Sequence, residues 1–314
     1  SVIRVKSDNE AGAEFEYLTV LNVPIIKNVS ILVQSFVQTC MHLRRNKDAV
    51  VIGDVLNFSV STGALLAAKL FRRTSCGIVT DIPSLMSEKP NPLTSRAIAL
   101  AMTRYDSYVL LTRDMDLLIN RRRVPSVVIE GQVDINMENR SNGLSSKHPE
   151  RVCLYAGALD RRYGVAALVE GFLRADTSNC ELHLYGRGDY EDELIDISQT
   201  ESRIKFLGQV PNDRVVEEQI RATLLVNPRP TTEAFTRYSF PSKNMEYIAS
   251  GTPLLTTLLP GMPAEYLPHV YLLRDESTEG IAEAFEELLA LDPKELHRKG
   301  RDAKEFALAQ KNNV

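Results

Sequence analysis

The amino-acid sequence predicts an α/β protein, with two Rossmann-like domains whose parallel sheets face a cleft. Three observations predict it. Short apolar runs alternate with longer stretches of helical period along the whole chain. Those runs are rich in β-branched residues and almost uninterrupted, and one polar, aperiodic segment divides the pattern near its middle. Uninterrupted apolar strands belong to parallel sheets covered on both faces, where neither side of a strand meets water. At about 100–200 residues per domain, 314 residues hold two, each able to bury its own core.

In the first half, strands are expected at 15–21, 49–53, 75–80, 107–111 and 126–130, and helices over 30–44, 59–70, 92–103 and 115–121. The second half repeats the rhythm, with strands at 152–156, 181–185, 203–206, 223–226, 253–257 and 270–273. Its helices are expected over 162–174, 190–200, 212–221, 242–250, 278–289 and 293–310. Residues 136–150, rich in Asn and Ser and without period, mark the boundary, giving domains at 1–145 and 146–314. Open α/β sheets bind ligands beyond the carboxyl ends of their strands, so chemistry is sought in the loops that follow each strand.

Composition narrows the classes. With 44% hydrophobic and 25% charged residues the chain is neither collagen-like, disulfide-scaffolded nor disordered. Thirty-seven basic against forty-one acidic residues give a formal charge of −4, which argues against nucleic acid as a partner. Cys40, Cys76, Cys153 and Cys180 are dispersed and read as reduced core thiols of a cytoplasmic protein. The five histidines are isolated, with no second ligand at metal spacing, so no metal is expected. No apolar run reaches the ~18–20 residues that cross a bilayer. Arg121-Arg122-Arg123, with Arg72 and Arg73, is either a basic helix end or a peripheral contact with the inner membrane surface.

Four stretches carry candidate chemistry. In Tyr155-Ala156-Gly157-Ala158-Leu159-Asp160-Arg161-Arg162-Tyr163-Gly164, a strand gives way to a glycine turn and a helix. Helix-start amides with Arg161 and Arg162 suit a phosphate there, although glycines at 157 and 164 also serve as plain turn residues. In Phe240-Pro241-Ser242-Lys243-Asn244-Met245-Glu246, continuing to Gly251, proline opens a helix and glycine closes it. The amides around Ser242 and Lys243 form an anion site. Glu246, one turn on, is either the acceptor of two ribose hydroxyls or a solvated residue paired with Lys243 at i,i+3. The long loop Asn227-Pro228-Arg229-Pro230 to Tyr238 supplies Arg229 and Arg237. Tyr185-Gly186-Arg187-Gly188-Asp189 reads as a tight turn before a helix. In the first half, Asp81 closes a strand ahead of a loop, placed to face a cleft, and Asp54 stands equally as a functional carboxylate or as part of its turn.

With these residues in view, the second half resembles the donor-binding domain of retaining GT-B glycosyltransferases of family 4, of bacterial polysaccharide type. The most specific stretch runs from Ser242 to Pro253. The first half resembles the acceptor-side domain through Asp54-Val55-Leu56-Asn57 and Thr80-Asp81-Ile82-Pro83. The resemblance implies transfer of a sugar from a nucleotide-diphosphate sugar to a saccharide or lipid-linked acceptor, with retention and without metal or other cofactor. Glu246 then holds the donor ribose. Gly157, Gly164 and the Ser242 and Lys243 amides cradle the diphosphate, Arg161, Arg162 and Arg229 supply positive charge, and Val210 lies near the base. Asp81 would serve the acceptor hydroxyl.

The family's paired glutamates lie eight positions apart; here that position is Tyr238, and Glu233, thirteen before Glu246, is the substitute. The family's loop lysine is Tyr163. Two alternatives stand beside the transferase, namely a sugar-nucleotide epimerase of the same architecture and a non-catalytic nucleotide-sugar-binding subunit. The resemblance also implies a strand and glycine loop ahead of Ser1 and a last helix after Val314, so that the chain reads as a fragment.

Overall fold

The computed structural model describes residues 2–3, 8–10, 13–21, 23, 26–82, 85, 92–177 and 179–313. They form two compact units, Ser1–Ile129 and Glu130–Val314.

The first unit begins with two short antiparallel pairs, β1 (Val2–Ile3) with β4 (Val20–Leu21), and β2 (Asp8–Glu10) with β3 (Ala13–Phe15). The continuous strand expected at 15–21 does not form. The Gln34 side chain takes both backbone groups of Thr19, at 2.9 and 2.7 Å, and so occupies the bonds that a ladder would need. Then follow α1 (Ile26–Arg45), β5 (Val51–Asp54), α2 (Phe58–Leu70), β6 (Ser75–Val79), α3 (Pro92–Met102), β7 (Ser107–Leu110), α4 (Arg113–Ile119) and β8 (Ser126–Val128). The four strands β5 to β8 pair in parallel and in sequence order. Gly53 and Gly77 leave room on the sheet for the buried Tyr105 ring, whose atoms would stand 2.5 and 2.9 Å from a Cβ at those positions. Asp106 accepts from Lys69 at 2.5 Å and from the Ser75 amide and hydroxyl, and these donors hold its carboxyl below the usual range against the opposing effect of burial. Asp54 folds onto its own turn, accepting from the Leu56 amide and the Asn57 side chain.

The second unit holds β9 (Arg151–Ala156), α5 (Val165–Arg174), β10 (Cys180–Tyr185), α6 (Glu191–Thr200), β11 (Ile204–Gly208), α7 (Asn212–Arg221) and β12 (Leu224–Asn227). After these come α8 (Ser242–Ser250), β13 (Leu254–Thr256), β14 (Tyr271–Leu272), α9 (Thr278–Leu289) and α10 (Pro293–Gln310). All six strands are parallel, in the order β11-β10-β9-β12-β13-β14. Counted from β9 this is the 3-2-1-4-5-6 order of the doubly wound fold, with its switch point between β9 and β12. Alternate residues of β9 enter opposite cores. Cys153 and Tyr155 join Phe172 of α5, Leu194 of α6 and Phe285 of α9, whereas Val152, Leu154 and Ala156 join Val215 of α7, Ile248 of α8 and Ala303 of α10. That double burial is why the strand reads as an unbroken apolar run. The four cysteines are free, two of them buried in this core. Among the described residues no helix is long and apolar enough to cross a membrane.

The aperiodic segment 136–150 lies on the second unit, tied by side chains to backbone. Asn142 donates to the Ser250 carbonyl at 2.8 Å and Lys304 to that of Arg140 at 2.6 Å. Just ahead of it the Val133 amide donates to Lys311 at 2.7 Å, joining the start of the unit to its end. Lys147 donates to the Ile220 and Ala222 carbonyls and to Thr252 Oγ1, all within 2.9 Å, and satisfies acceptors at the end of α7. Burial pushes its ammonium from 10.5 down to about 7. The unfolded chain therefore keeps this proton over a pH range in which the folded chain has released it, so the contribution of Lys147 to stability grows as pH rises from 7 toward 10 and is lost on the way down. Lys147→Met should cost more stability at pH 9 than at pH 6, by about 3 kcal/mol at ~1.4 kcal/mol per pH unit. Denaturant melts of both proteins at the two pH values check this; equal costs would refute it.

Candidate functional site

The carboxyl ends of β9 and β12 separate at the switch point. Their parallel pairing stops at Leu154 and Leu225, leaving the peptide of Ala156 without a strand neighbour on that side. Tyr247 of α8 fills the gap. Its hydroxyl accepts from the Ala156 amide at 2.7 Å and donates to the Ala156 carbonyl at 3.0 Å, inside a fully buried environment that raises the phenol well above its usual pKa. One side chain thus satisfies two buried backbone groups and anchors α8 against the strand that carries the glycine loop. Tyr247→Phe should remove about 1–3 kcal/mol of stability by leaving both groups unpaired. Exchange of the Ala156 amide with solvent would accelerate with it, and unchanged exchange would contradict this role.

After β9 the chain turns at Gly157 and enters a short 3-10 turn, Arg161–Tyr163, which ends on Gly164 in the left-handed region at φ 81°. A Cβ on Gly164 would lie 2.2 Å from the Pro228 carbonyl oxygen, so glycine here is what lets the loops after β9 and β12 touch. The turn after β10 clasps the same loop from the other side. Gly157 donates to Tyr185 at 3.0 Å and Leu159 to Arg187 at 2.8 Å. Asp189 accepts from the Arg161 amide at 2.8 Å, while Asp160 accepts from the Asp189 amide at 3.0 Å. The stretch 185–189, expected to be a plain tight turn, is therefore the scaffold of the glycine loop.

Neighbouring arginines diverge. Arg161 pairs with Glu193 and lies over the Tyr190 ring at 4.6 Å. Arg162 points the other way, over the Phe235 ring at 4.6 Å and 3.9 Å from the Glu233 carboxylate. Arg229, first in the loop after Pro228, lies 4.9 Å from the Tyr163 centroid and 5.5 Å from that of Phe235. Tyr163 and Phe235 meet edge to face at 5.8 Å, so two guanidiniums and two rings form one cluster bridging the two loops. The loop 228–241 is itself held by Thr231 donating to Glu276 and by a 3-10 turn, Ala234–Tyr238, that begins after Glu233.

Helix α8 starts beside this cluster. Pro241 is its N-cap, one residue earlier in role than the first helical position expected of it, and no side chain caps the helix start. The amides of Ser242 and Lys243 thus have no side-chain acceptor, the condition under which a helix N-terminus receives an anion. Gly251 closes the helix at φ 78° as expected. Glu246 is partly exposed. Its carboxylate accepts from Lys243 Nζ at 3.3 Å and from the fully buried Gln219 Nε2 at 2.5 Å. The amide of Gln219 fixes one oxygen from behind. The first turn of α8 is locked below by Asn227 donating to Asn244 at 2.6 Å and Asn244 to Thr256 at 3.4 Å.

The structure thus brings together Gly157, Arg162, Gly164, Arg229, Glu233, Ser242, Lys243 and Glu246 at one end of one sheet, with Arg161 on the flank of the same loop facing α6. Val210, after β11, packs on the core beneath α7 and α8. Asp81 belongs to the other unit, two residues beyond the end of β6 and half-buried. Gln219, Tyr247, Asn244 and Phe235 were not singled out by sequence. Only Asn244 and Tyr247 carried a signal, as uncharged polar residues flanking Glu246 on its helix. Among the described residues no group of three His, Cys, Asp or Glu could hold a metal ion. His148 and His183, which read as isolated, meet at 5.8 Å between ring centroids, each bonded to a glutamate of its own, Glu218 and Glu181.

Residues 150–291 match the family model of glycosyl transferases group 1. The match lies within the second unit. It begins just before β9 and ends after α9, so it spans the glycine loop, the arginine cluster and α8. No curated protein matches the chain.

Solved structures similar to it include HepE of Anabaena in complex with UDP, at 15% identity and a TM-score of 0.69, over 88% of this chain and 78% of that one. Sucrose-phosphate synthase from Thermosynechococcus elongatus matches at 16% identity and 0.70, over 99% and 81%. The lipopolysaccharide outer core galactosyltransferase WaaB matches at 15% and 0.62, over 94% and 78%. At these identities the likeness is one of fold, and the fold is GT-B, two Rossmann-like domains with parallel sheets.

Proposed function

We propose that the chain is a glycosyltransferase that moves a sugar from a nucleotide-diphosphate sugar to a saccharide or lipid-linked acceptor, with retained anomeric configuration and without a metal. The observation that carries the reading is the switch-point arrangement. A glycine loop, an uncapped helix start and the Glu246 carboxylate, held from behind by Gln219, converge where doubly wound sheets bind nucleotides. Glu246 accepts the ribose hydroxyls, and the Ser242 and Lys243 amides with Gly157 and Gly164 take the diphosphate. The positive charge that the family carries at Tyr163 comes instead from Arg229, stacked on that ring, and from Arg162, with Arg161 at the edge. Val210 borders the base.

Glu233, held near Arg162, faces the transferred sugar, and Asp81 orients the acceptor hydroxyl. Departure of the diphosphate is the costly step, and helix-start amides with guanidiniums already in place stabilise it without reorganising. UDP, the nucleotide bound by HepE, is the first donor base to try.

Calorimetry with UDP, followed by product analysis from UDP-sugars and an acceptor extract, tests the proposal. Binding in the micromolar range, a product of unchanged anomeric configuration and full activity in a chelator are expected. Inverted product or chelator-sensitive transfer would overturn the respective part, and conversion of the donor without an acceptor would indicate an epimerase.

A further inference from the structure

A cavity of about 560 Å³ opens in the first unit between α3 and α4, far in sequence from the nucleotide loops. Its floor is apolar, with Ile98 and Met102 from α3 and Leu118 from α4. Leu100, 58% exposed, stands at its rim. Arg104, Arg121 and Arg122 also line it, and no carboxylate is among its described lining residues.

Topology places the arginines at one end. Both helices run from the carboxyl end of one strand to the amino end of the next, so Arg104, between α3 and β7, and Arg121 and Arg122, between α4 and β8, sit at the amino ends of the strands. Ile82, just after β6, marks the opposite end. The groove therefore runs along α3, whose 11 residues span about 16 Å at ~1.5 Å per residue. Its charged end lies away from the carboxyl ends, where an acceptor would meet a donor.

The basic end is built rather than incidental. Asn120, 8% exposed, pins the turn that carries the arginines, donating to the Val124 carbonyl at 2.8 Å and accepting from the Val124 amide at 2.9 Å. Within that turn Arg123 is held at φ 53°, a conformation that a non-glycine residue adopts only when its surroundings impose it. Arg122 reaches back to the carbonyls of Arg104 and Tyr105, both at 3.5 Å, which draws the two basic turns together. Two helix C-termini point here, each equivalent to about −0.5 charge, so three guanidiniums leave the end net positive. An apolar channel closed by positive charge at one end suits one chemical class. We infer that this groove binds a single-chain anionic amphiphile, with its alkyl chain along α3 and its phosphate or carboxylate head on Arg104, Arg121 and Arg122. The site needs no nucleotide and stands independently of the transferase reading.

Calorimetry on the full chain with dodecyl phosphate below its micelle concentration tests this. One saturable site is expected, with inorganic phosphate and neutral dodecyl maltoside each binding at least about tenfold more weakly. Arg104→Gln with Arg121→Gln should weaken dodecyl phosphate roughly tenfold or more, the loss expected of charge-assisted contacts. Leu100→Asp, at an exposed position that tolerates a polar residue, should weaken it similarly by placing a carboxylate beside the chain. The Ala99→Trp variant, filling the groove, should abolish binding. Equal affinity for phosphate-headed and maltoside-headed chains would overturn the inference. So would the absence of a saturable site in the wild type, or full affinity in the folded Leu100→Asp protein.

Discussion

Glu246→Gln should weaken UDP binding by about 10–100-fold, the loss of about 1.5–3 kcal/mol expected when a carboxylate that accepts two hydroxyls becomes an amide. The change is nearly isosteric, and the buried Gln219 amide still finds an oxygen acceptor, so the fold should be unaffected. A second measurement makes the result specific to the ribose. Wild-type protein should prefer UDP over its 2′-deoxy counterpart, and the variant should bind the two almost alike. If UDP binds the variant as it binds the wild type, Glu246 is a surface carboxylate paired with Lys243, the plainer reading its position always allowed.

Gly186→Ala should be among the most damaging single-methyl additions in the second unit. Gly186 sits at φ 136°, outside the range side chains tolerate, and a Cβ there would stand 1.8 Å from the Gly157 carbonyl oxygen. Backbone strain and displacement of the glycine loop together should remove about 3 kcal/mol or more, roughly 6–12 °C in melting temperature for a unit of this size. Gly208→Ala is the internal comparison. Its φ of 67° carries the left-handed cost, but nothing lies within 4 Å of the added Cβ, so about 1 kcal/mol is expected. Because the lost contact supports the glycine loop, UDP affinity should fall in Gly186→Ala and hold in Gly208→Ala. Equal melting temperatures for the two variants would show that close packing of Gly186 on the loop does not matter.

Each stretch of the candidate site was legible by itself because the residues within it are neighbours in sequence. The helix from Ser242 to Ser250 announces itself through the proline and the glycine that bracket it; Gly251 closes it as expected, while Pro241 stands at the N-cap, one position ahead of the first helical residue it was expected to be. The helices 212–221, 278–289 and 293–310 have the bounds their apolar period suggested. The expected strand at 15–21 failed for a reason outside its own residues, since Gln34, fifteen positions away from Thr19, takes the backbone bonds. The turn at 185–189 looked ordinary for the same kind of reason. Its importance comes from contacts with 157–161 across the sheet, to which local spacing is blind.

The sequence by itself determined the alternation of strand and helix, the double burial of the second sheet and the residues that open and close α8. Each of these follows from propensities and periodicities within a few residues. Only the tertiary structure decided which of the adjacent Arg161 and Arg162 faces the loop after β12, that Arg229 stacks on Tyr163, and that Gln219 and Tyr247 stand behind Glu246 and Ala156. Those choices depend on the 3-2-1-4-5-6 strand order, which sets side by side at the switch point segments from 27 to 91 residues apart. A local pattern records which face of an element is apolar. It does not record which distant element will meet that face, because that is settled by the free energy of the whole packed sheet.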